Sequence, residues 1–205
     1  MRQKRAYRYR CYPTPTQAAV LARTFGCARF VYNWALRLRT DAYYDRQERL
    51  SYVELSAALT TLKQQPETAW LNAVSSVPTQ QALRPLETAF RRFFAGRAKY
   101  PAFHKKPGAQ SATYASTAFQ WHVACGMWHA EQHALQHALT LAKMDAPLPI
   151  HWSRPLPGGT MPTTVTLSRD SAGRYFVSVR LEEEMAPLPA TTNLGPEGPC
   201  LQAGG

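Results

Sequence analysis

The chain has 205 residues, 45% of them hydrophobic, which is enough apolar material for a sizeable core and excludes a chain that is disordered throughout. Lys and Arg (24) outnumber Asp and Glu (13) for a net charge of +11, and such an excess points to a polyanionic partner. No apolar run approaches the length of a membrane span, no secretory signal opens the chain, and the four cysteines (Cys11, Cys27, Cys125, Cys200) are scattered, so a cytoplasmic protein without a disulfide framework is expected.

Charge is distributed in blocks. Residues 1–49 carry eleven basic and three acidic side chains, residues 84–106 carry seven basic ones and Glu87, and residues 50–83 hold only Lys63, Glu54 and Glu67. Two basic blocks flanking a nearly neutral one predict a patch for nucleic acid in preference to a generally basic surface or an anionic membrane.

In chain order, Lys4–Tyr12 alternates Tyr7, Tyr9 and Cys11 with Arg8 and Arg10, the pattern of a strand with a basic outer face, and Pro13 ends it. Thr14-Pro15-Thr16-Gln17 is a capping box with proline at the first helical position. Ala18, Leu21, Ala22 and Phe25 continue that helix, and Gly26 is expected to break it. A second helix turns Phe30, Val31, Trp34, Leu38 and Tyr43 inward and leaves Arg29, Asn33, Arg37 and Arg39 outside. Ser51 to Glu54 forms another capping box, opening a third helix through Leu55, Leu59 and Leu62. A fourth starts near Ser76 or Pro78 and runs through Leu83, Leu86, Ala89, Phe90 and Phe93, with Pro85 either kinking it or standing in a first turn.

Strands follow: around Tyr114–Trp121, Leu139–Met144, Ile150–Ser153, Thr163–Arg169 and Arg174–Glu182, the last two forming a hairpin about the turn at 170–173. One strand before the helices and several after them predict an α+β fold, a small β-barrel with an all-helical domain inserted after its first strand. The expected divisions are 1–13 (first barrel strand), 14–103 (helical domain), 104–187 (rest of the barrel, with a His-rich insertion at 122–138) and 188–205 (a disordered, Pro- and Gly-rich tail).

No catalytic constellation stands out. His129, His133 and His137 would share a face of a helix, but they fall in the tandem repeat Gln132-His-Ala-Leu, Gln136-His-Ala-Leu and read as a solvated insertion ahead of a metal site. Glu182, Glu183 and Glu184 alternate sides on a strand, Asp145 and Asp170 read as loop and turn residues, and no set of carboxylates promises the convergence that two-metal phosphodiester cleavage needs. The nucleic-acid signal is stronger. Tyr7, Tyr9, Tyr12, Phe30, Tyr32, Trp34, Phe93 and Phe94 interleave with arginines, though most follow buried faces. Gln80 and Gln81 are either base-edge readers or ordinary helix residues.

The order of Arg5-Ala-Tyr-Arg-Tyr-Arg-Cys-Tyr-Pro13, Gln17, Thr24-Phe-Gly-Cys-Ala-Arg-Phe-Val-Tyr-Asn33, Leu59-Thr-Thr-Leu-Lys63, Trp70-Leu71, Gln80-Gln-Ala-Leu83, Phe93-Phe94, Tyr100-Pro-Ala-Phe-His-Lys-Lys106 and the hairpin Val165–Ser178 resembles the TnpB (OrfB) proteins of bacterial insertion sequences. The resemblance implies a wedge-type β-barrel with an inserted recognition domain, a transposon-derived guide RNA and DNA beside a short target-adjacent motif as partners, and cleavage by a C-terminal RuvC-like nuclease domain. It places Tyr52, Ser76 and Gln80 where the family reads that motif, with Ser76 at a position often basic in relatives. Together with the charge pattern it nominates Arg8, Arg10, Arg29, Asn33, Arg37, Arg84, Arg91, Lys105 and Lys106 as nucleic-acid contacts.

In relatives a strand of the form Gly-Ile-Asp-Leu-Gly, with the first nuclease carboxylate, follows the equivalent of Pro187-Leu-Pro189. Here the sequence reads Thr191-Thr-Asn-Leu-Gly-Pro and onward to Gly205. The expectation is therefore a truncated or frameshifted TnpB-like chain, formerly called a transposase, that binds nucleic acid and does not cut. Magnesium and zinc would belong to the missing part and no cofactor to this one. The alternatives are a stand-alone helix-turn-helix DNA-binding protein that regulates or occupies transposon ends, and a pseudogene product with an incomplete fold.

Overall fold

The computed structural model describes residues 2–124, 136–156 and 161–184. Strand β1 (Arg2–Cys11) is followed by helices α1 (Pro15–Arg46), α2 (Tyr52–Leu62), a 3₁₀ segment (Pro66–Ala73), α3 (Ser76–Gln81) and α4 (Leu83–Phe94). Then come β2 (Gln110–Ala115), β3 (Phe119–Ala124), β4 (Gln136–Leu141), β5 (Ile150–His151), β6 (Thr164–Arg169) and β7 (Tyr175–Glu184). The fold is α+β, and among the described residues every α-helix lies between β1 and β2.

The strands form a five-stranded antiparallel sheet in the order β2-β6-β7-β1-β5 and a separate β3-β4 ladder. This differs from the closed barrel expected: β2 and β5 remain the sheet's edges among the described residues. The 3₁₀ corner Ser116–Ala118 separates β2 from β3 and carries the chain into the second ladder. Trp121, Leu139 and Leu141 of that ladder cover the apolar face of the sheet in place of a barrel wall.

Helix α1 starts as its sequence dictates. Thr14 accepts from Gln17 N, Gln17 Oε1 accepts from Thr14 N, and Pro15 occupies the first turn. The Gln17 amide also donates to the carbonyls of Ala146 (3.2 Å) and Pro147 (3.0 Å), so one buried side chain caps the helix and fastens a distant loop.

The helix does not break at Gly26; it runs unbroken for 32 residues, about 48 Å. Packing outweighs the roughly 1 kcal/mol that a mid-helix glycine costs. On one side of Gly26, Leu21 and Phe25 join the core beneath the sheet with Tyr9, Tyr114, Val165, Leu167, Val177 and Val179. On the other, Cys27, Val31, Ala35 and Leu36 join the helical core with Leu55, Leu59, Leu71, Leu83, Leu86 and Phe90. Gly26 marks the point where α1 passes from one core to the other.

The fourth helix is split in two. Pro85 has no N–H to give to the carbonyl one turn back, and the chain divides at Ala82 into α3 and α4, leaving Pro85 in the first turn of α4. His137 lies on strand β4 opposite Val123, not on a helix, and its ring stacks at 5.1 Å on Trp121. His129, His133 and the tail 188–205 lie outside the described residues. No described helix is long and apolar enough to cross a membrane.

Candidate nucleic-acid interface

Because directly paired residues of an antiparallel ladder share a side, the register fixes the two faces of the sheet. Tyr9, Cys11, Ala112, Tyr114, Val165, Leu167, Val177, Val179 and Leu181 face the core. The opposite face carries Lys4, Ala6, Arg8 and Arg10 from β1, Phe176, Ser178 and Arg180 from β7, Thr164 and Thr166 from β6, and Thr113 and Ala115 from β2. Over this second face runs α4, whose Arg84, Thr88 and Arg92 recur at four-residue spacing and so share a stripe.

Sheet and helix enclose a groove of about 920 Å³. Lys4, Arg5, Arg84, Arg92 and Arg180 supply cations to its lining, Gln81, Thr88, Thr113, Thr164, Thr166 and Ser178 supply amide and hydroxyl groups, and no carboxylate lines it. Lys4 Nζ meets Glu182 at 3.1 Å. An open channel whose described lining is cations and hydroxyls, with Glu182 of the same sheet face taken up by Lys4, suits phosphate oxygens, which take ion pairs and neutral hydrogen bonds together.

A smaller hollow of about 100 Å³ adjoins it, Pro85 lining both. Arg29 of α1 and Lys105 line the hollow, extending the basic track. The Lys105 loop is held by Asn33, whose amide donates to His104 O (3.0 Å) and whose Oδ1 accepts from His104 N (2.8 Å). The His104 ring stacks on Tyr32, centroids 3.8 Å apart and planes within 6°, and burial pushes its pKa down, keeping it neutral in the stack.

The other nominated residues distribute as follows. Arg8 and Arg10 share the groove's sheet face and bracket Phe176, at 3.9 and 5.1 Å from its centroid, and Arg10 Nε is buried without a hydrogen-bond partner. Tyr52 lies 5.6 Å from the Arg84 guanidinium and so reaches the rim. Ser76 lines a different hollow with Lys63 and Lys143, and Gln80 is exposed on the same short helix. Arg37 pairs with Asp41 at 3.6 Å, Arg91 is exposed on α4 outside the groove lining, and Lys106 accepts a hydrogen bond at its carbonyl from Gln110.

The nominations missed Lys4, Arg5, Arg92, Arg180 and the hydroxyl row. A signal for Lys4 and Arg180 existed in the even-numbered alternation of β1 and β7 and one for Arg92 in the Arg84/Thr88/Arg92 repeat, whereas Arg5, opposite Leu181, had none. Only the pairing register, however, brings β1, β6, β7 and α4 to one place.

Reactive or metal-binding groups are not gathered here. Burial pushes the Cys11 thiol up to about 12, so it stays protonated. Among the described residues no three His, Cys, Asp or Glu side chains converge as a metal site requires.

Known proteins are similar to this chain in sequence. A family described as a helix-turn-helix domain of OrfB proteins matches residues 1–48, which here form one strand and one continuous helix. A Streptomyces pristinaespiralis protein named "Putative RNA-guided DNA endonuclease" is 55% identical over 190 residues, 92% of this chain and 44% of the relative. The Escherichia coli K12 protein named "Putative RNA-guided DNA endonuclease InsQ" is 32% identical over 106 residues, 52% of this chain and 26% of the relative. The Salmonella dublin virulence protein VsdF is 31% identical over 113 residues, 51% of this chain and 95% of that protein. The chain thus spans less than half the length of the two relatives named as endonucleases. With the strand, helix and hairpin motifs all in place, the chain belongs to the TnpB/OrfB family of insertion-sequence proteins.

Proposed function

We propose that this chain is the nucleic-acid-binding portion of a TnpB-like RNA-guided DNA endonuclease, with a transposon-derived guide RNA and the DNA beside a target-adjacent motif as its partners. The single observation that carries the reading is the groove between the outer sheet face and α4, with five cations and no acid among its described lining residues, Lys4 being paired with Glu182 beside it. In this reading the strands serve as the wedge-type domain and the inserted helices as the recognition domain. Arg84, Arg92, Arg180 and Lys4 hold phosphates, Arg8 and Arg10 continue the track, and Tyr52, Ser76 and Gln80 face the target-adjacent motif. The cytoplasm, where transcript and chromosome meet, is the place of action.

The alternative of a free helix-turn-helix regulator is disfavoured. That motif needs two helices joined at a steep angle by a short turn, and α1 is a single helix across the segment concerned. Because the described residues offer no convergent carboxylates, this chain alone is expected to show no magnesium-dependent nicking.

The test is binding of the chain to its cognate transcript and to duplex DNA as a function of salt. Each phosphate contact adds roughly one unit to the slope of log K against log salt, so Arg84→Ala with Arg180→Ala together should flatten it by about two. Binding that is insensitive to salt, or a slope unchanged in the double variant, would remove the groove from the reading.

A further inference from the structure

Helix α4 has a second functional face. While Arg84, Thr88 and Arg92 line the groove, Phe90, Phe93 and Phe94 line a separate pocket of about 280 Å³ that Tyr43 and Tyr44 of α1 and Tyr100 complete. The rings are organised. Tyr100 stands edge-on to Phe90 (5.6 Å) and Phe93 (5.3 Å), with its hydroxyl 2.8 Å from Thr40 Oγ1. Tyr44 and Phe94 are 74% and 64% exposed, so these two rings are held largely in solvent.

Two cations sit against the rings. The Arg49 guanidinium lies 5.4 Å from the Phe94 centroid and that of Arg39 4.8 Å from Phe90. Arg39 is fixed by Leu50 O (2.7 Å, from Nε) and Glu87 (2.8 Å, from Nη2), yet its Nη1 is buried with no hydrogen-bond partner. A pocket walled by flat rings, with a cation at its lip and the one carboxylate of its described lining, Glu48, taken up by Arg46 at 2.8 Å, matches a planar heterocycle joined to a negative charge. Its volume is below the range of drug-sized sites, which suits a single ring system.

We propose that this pocket captures an unpaired nucleobase of a single strand that leaves the groove around the end of α4. One base stacks among Phe94, Tyr44 and Tyr100, with Arg49 facing the adjoining phosphate. The inference rests on the reading that the groove binds nucleic acid. A second copy of the chain is the poorer occupant, because each copy brings a net +11 to the contact. The track is short: α4 is 12 residues long, about 18 Å, the span of a few nucleotides.

The experiment measures fluorescence anisotropy of the full chain with three labelled 12-mers of equal charge, one of deoxythymidine, one of uridine and one of abasic spacer. The variants are Tyr44→Ala, Phe94→Ala and the groove pair Arg84→Ala/Arg180→Ala; the first two remove largely exposed rings and leave the helical core intact. The base-bearing strands should bind about 5- to 100-fold tighter than the abasic one. Tyr44→Ala and Phe94→Ala should erase that preference while keeping the abasic affinity, and the groove pair should weaken all three strands alike. A strand with one 2-aminopurine should lose fluorescence on binding the unsubstituted chain and keep it with Phe94→Ala. The thymidine and uridine arms decide between a DNA and an RNA strand.

Equal affinity for abasic and base-bearing strands overturns the pocket and leaves the groove standing. So does a preference that survives both ring substitutions, or a change from dimer to monomer in sedimentation on Phe94→Ala. Failure of every oligomer to bind, duplex included, overturns groove and pocket together.

Discussion

On β7, Val177, Val179 and Leu181 enter the core while Phe176, Ser178 and Arg180 lie on the other face, and on β1 Tyr9 and Cys11 are opposed in the same way to Lys4, Arg8 and Arg10. One face is closed by α1 and the β3-β4 ladder; the other is left open beneath α4 as a basic groove. Parity thus assigns most strand residues to stability or to binding, Arg5 opposite Leu181 being an exception that lines the groove, and a one-residue slip of register would exchange the two roles.

The largest effect should come from testing that division on one strand. Leu167→Ala removes a fully buried side chain and should cost about 2–5 kcal/mol in a urea titration. Its neighbour Thr166→Ala, which loses a 3.0 Å hydrogen bond to Thr113 on the groove face, should cost about 1 kcal/mol. Comparable losses at the two positions would break the comparison.

Next in size is the clasp that sets the rim of the groove. Asn33→Ala removes both hydrogen bonds to the His104 backbone, about 1–3 kcal/mol held locally in the 97–109 loop. Amide exchange at His104 should accelerate while the sheet core stays protected. Nucleic-acid affinity should fall less than with the groove pair, since Asn33 positions Lys105 without lining the groove itself.

A pH titration then separates the two regions further. Burial lowers the folded pKa of His104, and also that of His137 beside the sheet, so on acidification the unfolded chain takes up protons first. Their stabilising contribution is complete above the unfolded value of about 6.5 and is lost as pH falls through the folded values. His104→Phe should remove the part of this loss that belongs to the loop and leave the part at His137. An acid limb unchanged by the substitution would detach His104 from it. The smallest effect is Gly26→Ala. A Cβ there meets nothing within 4 Å, so the change should stabilise the protein by about 0.5–1 kcal/mol in a thermal melt.

Local signals in the sequence were sufficient wherever a local cause decides. The Thr14 and Ser51 capping boxes, the β6-β7 hairpin with its turn at Gly173 (φ 79°), and the alternation of β1 appear where their residues point. Gly26 misled because helix propensity is a weak term beside two cores, one on each side of it, that both need α1. The barrel misled because alternation fixes which side chains face inward but not which edges pair. The groove was half legible: Arg84 was nominated, whereas Lys4, Arg92 and Arg180 become partners only through the β1-β7 register and the placement of α4. Asn33 was nominated from its outward helical position, and no local signal shows that its amide binds the backbone of a loop about 70 residues away.

The pairing of β1 with β7 has a consequence for the order in which the molecule can be made. Arg2–Cys11 is made before the other described strands, yet its principal hydrogen-bonding partner is Tyr175–Glu184. At 5–20 residues per second this strand waits on the order of 10–30 s, with one edge basic and aromatic and nothing beside it. The helices have their whole core within residues 27–90 and can close during that interval. Synthesis therefore delivers a helical body with β1 still unpaired, and the sheet, with the groove it floors, is completed only once Tyr175–Glu184 has been made.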